Sequence, residues 1–461
     1  MANIYGVLHV GQQALLAQQE ALNVTAQNIA NANTPGYSRQ RVVMETTTVV
    51  ASDTGNMGTG VTIGDIERVY NSYLNHQIRE ESETLGRWQT EKNGLERVEV
   101  VFNEASQYGL SQSLGEFWNA WQDLVSNPSG YTERQMLIGS AEDLAHRFQG
   151  AYSDLSDIQA EMDNYVSQGV SEINIKAAGI AELNQKIVQI EAGSGIANSF
   201  RDERDVLLKE LSSLIDISAV EQDNSSLTLT LGDGGVLVEG AFSSNLTTLT
   251  NGSGYQDVAW ESAPSVGINS SISGGQLKGL FEARDVAVPG YKEQLEDLVD
   301  TIRDGVNAIH ANGFGLDGST GNAFFTGAVE DNDFGIASTV SGDVNKIAAA
   351  GTASGVPGDN SNAISIAELQ NSLTMSSNTA TYDDYYNAIV SGIGFDVQQA
   401  TSSYTQQDAM ISYLENYRES ISGVSLDEEM INMLQFEAAY ESAAKLISKI
   451  DEMLQTLLNI V

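Results

Sequence analysis

The sequence predicts an α+β fold: an elongated, mostly α-helical rod with paired N- and C-terminal coiled-coil helices and β-containing outer lobes. Three observations predict it. Both ends of the 461-residue chain carry apolar residues at heptad spacing. A helical period of three and four is sustained from Leu144 to Ile190. Alternating segments rich in Val, Thr and Gly interrupt the helices near residues 39–69 and 215–275.

The first helix is expected from about Ile4 to Asn31. Leu8, Leu15, Leu22 and Ile29 recur every seventh residue, with Ile4, Gly11, Gln18 and Thr25 on the alternate line. A 3.5-residue period keeps a seam facing a partner helix. The helix stops at Asn33-Thr34-Pro35-Gly36-Tyr37. Pro35 disfavours helical geometry at Thr34, and Gly36 accepts the positive φ that a type II turn requires. Two Val- and Thr-rich segments follow, Arg39 to Val50 and Val61 to Val69, and residues 55–60 between them read as the turn of a hairpin.

Helical periodicity resumes at Tyr70, Leu74, Ile78, Leu85 and Trp88 and reappears around Phe117 to Leu124. In the long run after Leu144, Phe148, Tyr152, Leu155, Met162, Tyr165, Ile173, Ile180 and Ile187 share a face. A helix of that length packs against other long helices. Leu227 to Leu231 then alternates as Leu-Thr-Leu-Thr-Leu, followed by Gly232-Asp233-Gly234-Gly235 and Val236-Leu237-Val238, a hairpin signature. A helix is expected over Gln276 to Ala311, and from Ala363 the chain reads as helical again, with Tyr385, Ile389, Ile411, Leu414 and Ile421 on one face.

The last helix begins after Ser422-Gly423. Ser425 and Glu428 have capping-box spacing, and Asp427, Glu428 and Glu429 lie where the helix dipole favours negative charge. Leu426, Met430, Met433, Tyr440, Ala444, Ile447, Leu454, Leu458 and Val461 form its stripe. The expected organisation is nested. Residues 1–38 with 424–461 form a terminal coiled-coil unit. Residues 39–214 with 276–312 and 363–423 form a long-helix unit with a hairpin. Residues 215–275 are a β-rich insertion, and 313–362 a small loop-rich or β lobe.

Composition narrows the class. With no cysteine, the chain has no disulfide, thiolate metal site or thiol nucleophile. No run of about eighteen apolar residues exists, so no membrane span is expected, and the N-terminus lacks the basic region of a secretory signal. Acidic residues number 62 against 22 basic ones, a net charge of −40. Residues 1–44 carry +1 and residues 424–461 carry −5, which leaves −36 on the middle. A surface this negative repels nucleic acid and anionic membranes.

Catalytic patterns are missing. His9, His76, His146 and His310 are far apart in sequence, and nucleophile-elbow, P-loop and zinc-protease spacings do not occur. Asp317-Gly318-Ser319-Thr320-Gly321 and Asp331-Asn332-Asp333 hint at calcium ligands but lack the Gly and Glu of an EF-hand, so they read as acidic turns. Neither catalytic, cofactor nor metal residues are assigned.

The stretch from Asn28 to Tyr37 resembles the N-terminal motif of bacterial flagellar rod, hook and hook-associated proteins, and Ser38-Arg39-Gln40 looks like the hook-associated protein 1 version. Ser425 to Glu429, Phe436-Glu437-Ala438-Ala439-Tyr440 and Asp451 to Leu454 are similar to the matching C-terminal motif. Gly279-Leu280-Phe281-Glu282-Ala283-Arg284-Asp285 and Ala323-Phe324-Phe325 also resemble this family. Glu437 and Glu441 depart from its usual Gln and Asn, and the middle is short for it.

The resemblance implies a non-enzymatic structural subunit at the junction of hook and filament, outside the cell. It implies export unfolded through the flagellar type III channel on an uncleaved N-terminus, with a cytoplasmic chaperone on the C-terminal helix until then. It also implies self-assembly into a ring or helical layer, with hook protein on one side and hook-associated protein 3 on the other. The assembly interface would comprise Leu8, Leu15, Leu22, Ile29, Asn31, Asn33, Thr34, Pro35, Gly36 and Tyr37, with Leu426, Met430, Met433, Tyr440, Ile447, Leu454 and Leu458. Hook or distal rod protein is the alternative within the class, against which the helical block from Glu67 to Leu214 argues. A flagellum-borne wall hydrolase is the alternative outside it.

Overall fold

A computed structural model describes residues 2–52, 55–102, 109–193 and 195–460. The chain opens with α1 (Ala2–Ala30), then β1 (Gln40–Thr46), β2 (Val49–Ser52), β3 (Gly55–Gly58) and β4 (Val61–Arg68). β1 pairs antiparallel with β4, and β2 with β3, so the four strands make one long hairpin. The expected turn at 55–60 is corrected here, because Gly55 to Gly58 is strand and faces Ser52 to Val49. Threonine explains the extension. The Thr47 and Thr59 hydroxyls meet at 2.6 Å, and the Thr47 N–H donates to the Gly60 carbonyl at 3.1 Å, carrying the ladder between the two strand pairs.

Four helices follow: α2 (Ser72–Val101), α3 (Leu110–Ser126), α4 (Tyr131–Ala192) and α5 (Asn198–Leu214). α4 starts ahead of the periodic run and spans 62 residues, about 93 Å at the helical rise. It buries Leu137, Leu144, Ala151 and Ile158, and beyond them Val166, Ile173, Ile180 and Ile187, each set spaced by seven. Tyr165 from the expected stripe is instead exposed, and Tyr152 is half-buried with its hydroxyl donating to Glu296 at 2.7 Å. A phenol at the edge of a stripe keeps its polar end solvated or paired.

Next comes a four-stranded antiparallel sheet, β5 (Ser218–Glu221), β6 (Leu227–Thr230), β7 (Val236–Glu239) and β8 (Phe242–Ser243), with the pair β9 (Leu246–Thr250) and β10 (Gln256–Trp260) beside it. Their inward residues Leu229, Leu237, Val238 and Val258 join the core of α4. The expected helix over 276–311 is in fact α6 (Gly275–Phe281), a π turn at Glu282–Ala287 and α7 (Val288–His310). Pro289 at the start of α7 has no N–H to give the turn before it, and the wider π turn takes up the mismatch. Arg284 in that turn is fully buried, bonded to Asp163 at 2.8 Å and Asp285 at 2.7 Å.

After α7 come β11 (Phe325–Thr326), β12 (Gly335–Ile336), α8 (Ser338–Ser341) and α9 (Ser361–Ala367), then α10 (Tyr382–Ser422) and α11 (Leu426–Ile460). Helix does not run on from Ala363. It breaks after α9, where Ser376, Ser377 and Asn378 take positive φ, and restarts at a capping box of Thr381 and Asp384. Phe324 and Phe325 of the 313–362 segment pack against Phe117 and Trp121 of α3, with Phe334 stacked on Phe325, so this segment shares the central core. His310 sits in that aromatic group. Its Nδ1 lies 2.7 Å from the Asn322 carbonyl and its Nε2 accepts from the Ala348 N–H at 3.0 Å, which sets the neutral tautomer. Burial lowers its pKa to about 4, against the pull of the Asn322 carbonyl.

Candidate functional site

The two chain ends meet as an antiparallel pair. Asn28 near the end of α1 contacts Glu429 near the start of α11, while a Cβ on Gly11 would lie 3.0 Å from Ile447 Cγ1. On α1 the buried positions are Gly11, Ala17, Ala21, Val24, Thr25 and Asn28. They centre on the lines Gly11, Gln18, Thr25 and Ala14, Ala21, Asn28, an alternation of three and four. Small residues there let the backbones approach closely. On α11 the matching seam runs Glu429, Phe436, Ala443 and Ile450 beside Tyr440, Ile447 and Leu454. Glu429, Ala443 and Ile450 are buried.

At the turn end of this pair lies a polar joint. Asn28, 1% exposed, uses both ends of its amide. Its Nδ2 donates to the Gln40 carbonyl at 2.9 Å and to Glu429 Oε2 at 3.1 Å. Its Oδ1 accepts from the Gln40 N–H at 3.0 Å and from the Tyr37 hydroxyl at 2.9 Å. Glu429, 2% exposed, takes Arg39 Nε on its other oxygen at 2.8 Å, and Arg39 Nη1 reaches Glu428 at 2.8 Å. Glu428 is thus turned to Arg39, whereas its spacing from Ser425 suggests a capping box. Burial, then the nearby Asp202 and Glu429 charges, push the Tyr37 phenol up to about 12, so it stays a donor. The Arg39 N–H donates to the Ser422 carbonyl at 2.9 Å, which ties α10 in as well.

The turn itself is type II. The Tyr37 N–H donates to the Thr34 carbonyl at 3.2 Å across Pro35 and Gly36, and Gly36 has φ +81°. A Cβ on Gly36 would come within 2.2 Å of Val206 Cγ2 on α5, so the residue is small for a second reason. The Ser38 N–H donates to Asp202 on α5 at 3.1 Å, and Arg68 at the end of β4 binds Asp202 at 2.8 Å and Asp205 at 2.9 Å. Residues 28–40 therefore connect α1, α11, α5, α10 and the hairpin at one point.

The structure divides the residues singled out from the sequence into three groups. Asn31, Thr34, Gly36 and Tyr37 build the turn: Asn31 Nδ2 donates to Gln27, Thr34 Oγ1 donates to Asn31, and Asn33, Thr34 and Pro35 face outward. Leu8, Leu15, Leu22 and Ile29 flank the α1 seam, half-buried, whereas Tyr440, Ile447 and Leu454 lie half-buried within the α11 seam. Leu426 and Met430 stand clear of the pair at 51% and 56% exposed, with Met433 at 39%. Leu458 belongs to α11, but its side chain lies outside the described residues. Sequence reasoning missed Asn28 and Glu429 as seam residues, although Asn at a heptad position is the recognised mark of a buried polar key.

Three families match the chain. Residues 95–325 match the flagellar hook-associated protein FlgK helical domain, residues 417–460 the flagellar basal body rod FlgEFG protein C-terminal family, and residues 8–37 the flagella basal body rod protein family. The chain is 29% identical to flagellar hook-associated protein 1 of Bacillus subtilis, covering 100% of this chain and 99% of the relative. It is 25% identical to the protein of that name from Salmonella typhimurium, covering 98% and 99%. Its fold is similar to the flagellar hook junction protein FlgK from Burkholderia pseudomallei, with a TM-score of 0.66 and 16% identity over 75% of this chain and 100% of that one. The helical-domain match alone takes in half of the sequence, from the end of α2 to β11. The chain belongs to the flagellar hook-associated protein FlgK family.

Proposed function

We propose that this chain is a structural subunit of the bacterial flagellum that joins hook to filament, polymerising through the α1–α11 pair. One observation carries the mechanism. After the small-residue seam has closed, the pair still exposes Tyr5 (62%), Leu16 (62%), Ile431 (56%) and Leu434 (61%) beside Leu426 and Met430. Apolar rows left on both helices need partners from other chains. Neighbouring copies would supply them in a ring or helical layer, with hook protein and hook-associated protein 3 at its two faces. A cytoplasmic chaperone on α11 would cover the same rows before export. The helical-domain match at 95–325 favours this over a hook or rod protein, which the two end matches alone do not separate.

In this reading the protein binds no substrate and works outside the cell. Among the described residues no group of three or more His, Cys, Asp or Glu is placed to hold a metal, and no helix is long and apolar enough to cross a membrane. The test is Leu15→Asp. Leu15 flanks the seam half-buried, so a charge there opposes the closing of neighbouring chains over the pair, and no residue of α1 belongs to the central core. The variant should be secreted with an unchanged thermal melt, yet be absent from isolated hook–filament particles, and cells carrying it should not swim. Normal incorporation of Leu15→Asp would refute the role given to this pair.

A further inference from the structure

We infer that the Asn28–Glu429–Arg39 joint is the register key of the terminal helix pair. The remainder of the seam cannot set register by itself. Gly11, Ala14, Ala17 and Ala21 offer α11 an almost featureless surface, and α11 answers with apolar residues repeating every seven. A slip of one heptad would exchange Ile447 for Tyr440 or Leu454 opposite Gly11 and keep most apolar contacts.

The joint forbids both slips. Sliding α11 one way sets Glu429 against Ala21, a carboxylate buried without a cation. Sliding it the other way brings Phe436 opposite Asn28 and strands Asn28 and Arg39. Either leaves buried polar groups unpaired, whereas in the observed register Asn28 has four hydrogen bonds and Glu429 two partners. Fixing register is the best-attested use of a buried polar group in a helix pair. The key also couples register to the turn, since Tyr37, Arg39 and Gln40 reach Asn28 and Glu429 only when the type II turn is formed. These residues position the helices, and this role holds whatever the assembled pair then contacts.

The native chain lacks cysteine, so disulfide trapping reads the register directly. In the purified full-length chain, Gly11→Cys with Ile447→Cys should cross-link under mild oxidation, because a Cβ at position 11 would lie 3.0 Å from Ile447 Cγ1. Gly11→Cys with Tyr440→Cys, or with Leu454→Cys, should not. Trapping records even a transient pairing. Adding Asn28→Leu and Glu429→Leu should retain pairing but open the out-of-register cross-links to at least a tenth of the 11–447 yield. Adding Leu22→Ala instead should weaken all cross-links without opening new ones. The inference fails if the double Leu variant still cross-links only 11–447. It also fails if the 11–447 pair does not form in the otherwise native chain.

Discussion

α4 and the α1–α11 pair use similar lengths of helix, 62 residues in one and 29 plus 35 in the other, and bury very different side chains. α4 buries Leu, Ile, Phe, Met and Val along its length and is wrapped by helices, sheet and the aromatic group of α3. The terminal pair buries mostly Ala, Gly, Thr, Asn and Glu, with Val24 and Ile450 its only large apolar residues fully buried among those described, and keeps much of its Leu and Met half-buried or exposed. Since hydrophobic stabilisation follows apolar area removed from water, the body can hold itself together and the pair is left dependent on what covers it. The difference separates a self-sufficient strut from a connector.

The broadest consequence concerns the isolated chain. Limited proteolysis should trim both ends and leave a fragment of roughly residues 65–415, because two helices joined mainly to each other are marginal in water. Hydrogen exchange before Asn33 and after Gly423 should outrun exchange in α4 by several orders of magnitude. Equal protection of ends and body would abolish the comparison.

Core truncation should act on one side only. Trp121 is fully buried among His310, Phe117 and Phe324, and Trp121→Ala should cost about 3–5 kcal/mol, read as a lower urea midpoint of the body. Phe436→Ala, whose ring is half-buried in the terminal seam, should leave that midpoint within error.

Acid should loosen the body through His310. Its folded pKa of about 4 lies below the usual 6.5, so between these values the unfolded chain binds the proton and the folded chain does not. Stability is fully present above about pH 6.5, drains away as pH falls towards 4, and amounts to about 3 kcal/mol. His310→Gln, which can still donate to Asn322 and accept from Ala348, should flatten the difference between urea melts at pH 7 and pH 4.5. An unchanged difference would mean that other groups set the acid sensitivity.

The same contrast governs what the sequence makes legible. Wherever large apolar residues face inward, as from Leu144 to Ile187, counting periodicity finds the buried face. At the ends it draws attention to the flank, Leu8, Leu15, Leu22 and Ile29; of the closer seam the heptad count reaches the line Gly11, Gln18 and Thr25, but not the line Ala14, Ala21 and Asn28, whose small or polar side chains give no hydropathic stripe. Gly36 was legible because a positive φ has a one-residue signature. Its contact with Val206 was not, since nothing local encodes a neighbour so distant in sequence. The Asn28–Glu429 contact and the Arg68–Asp202 pair escape for the same reason. Pro289 and Thr381–Asp384 are different: each carries a local signal for a break, overridden in the reading by apolar residues on either side.

The smallest effects should come from the turn, and their order tests why its residues are there. Pro35→Ala should cost less than about 1 kcal/mol, since proline only pre-sets a φ that alanine also reaches. Gly36→Ala meets two penalties, φ +81° and a Cβ within 2.2 Å of Val206 Cγ2. Gly36→Val adds β-branching to both, so it should disturb incorporation and the Tyr37–Asn28 contact most. The two penalties can be separated at Val206. Combining Gly36→Ala with Val206→Ala removes the clash and leaves the backbone cost, so it should recover part of the lost incorporation. The same Val206→Ala change should rescue Gly36→Val far less. If it rescues both alike, Gly36 is required for space and the turn conformation is secondary. Should it rescue neither, the positive φ is what holds α1, α5 and α11 at their common joint.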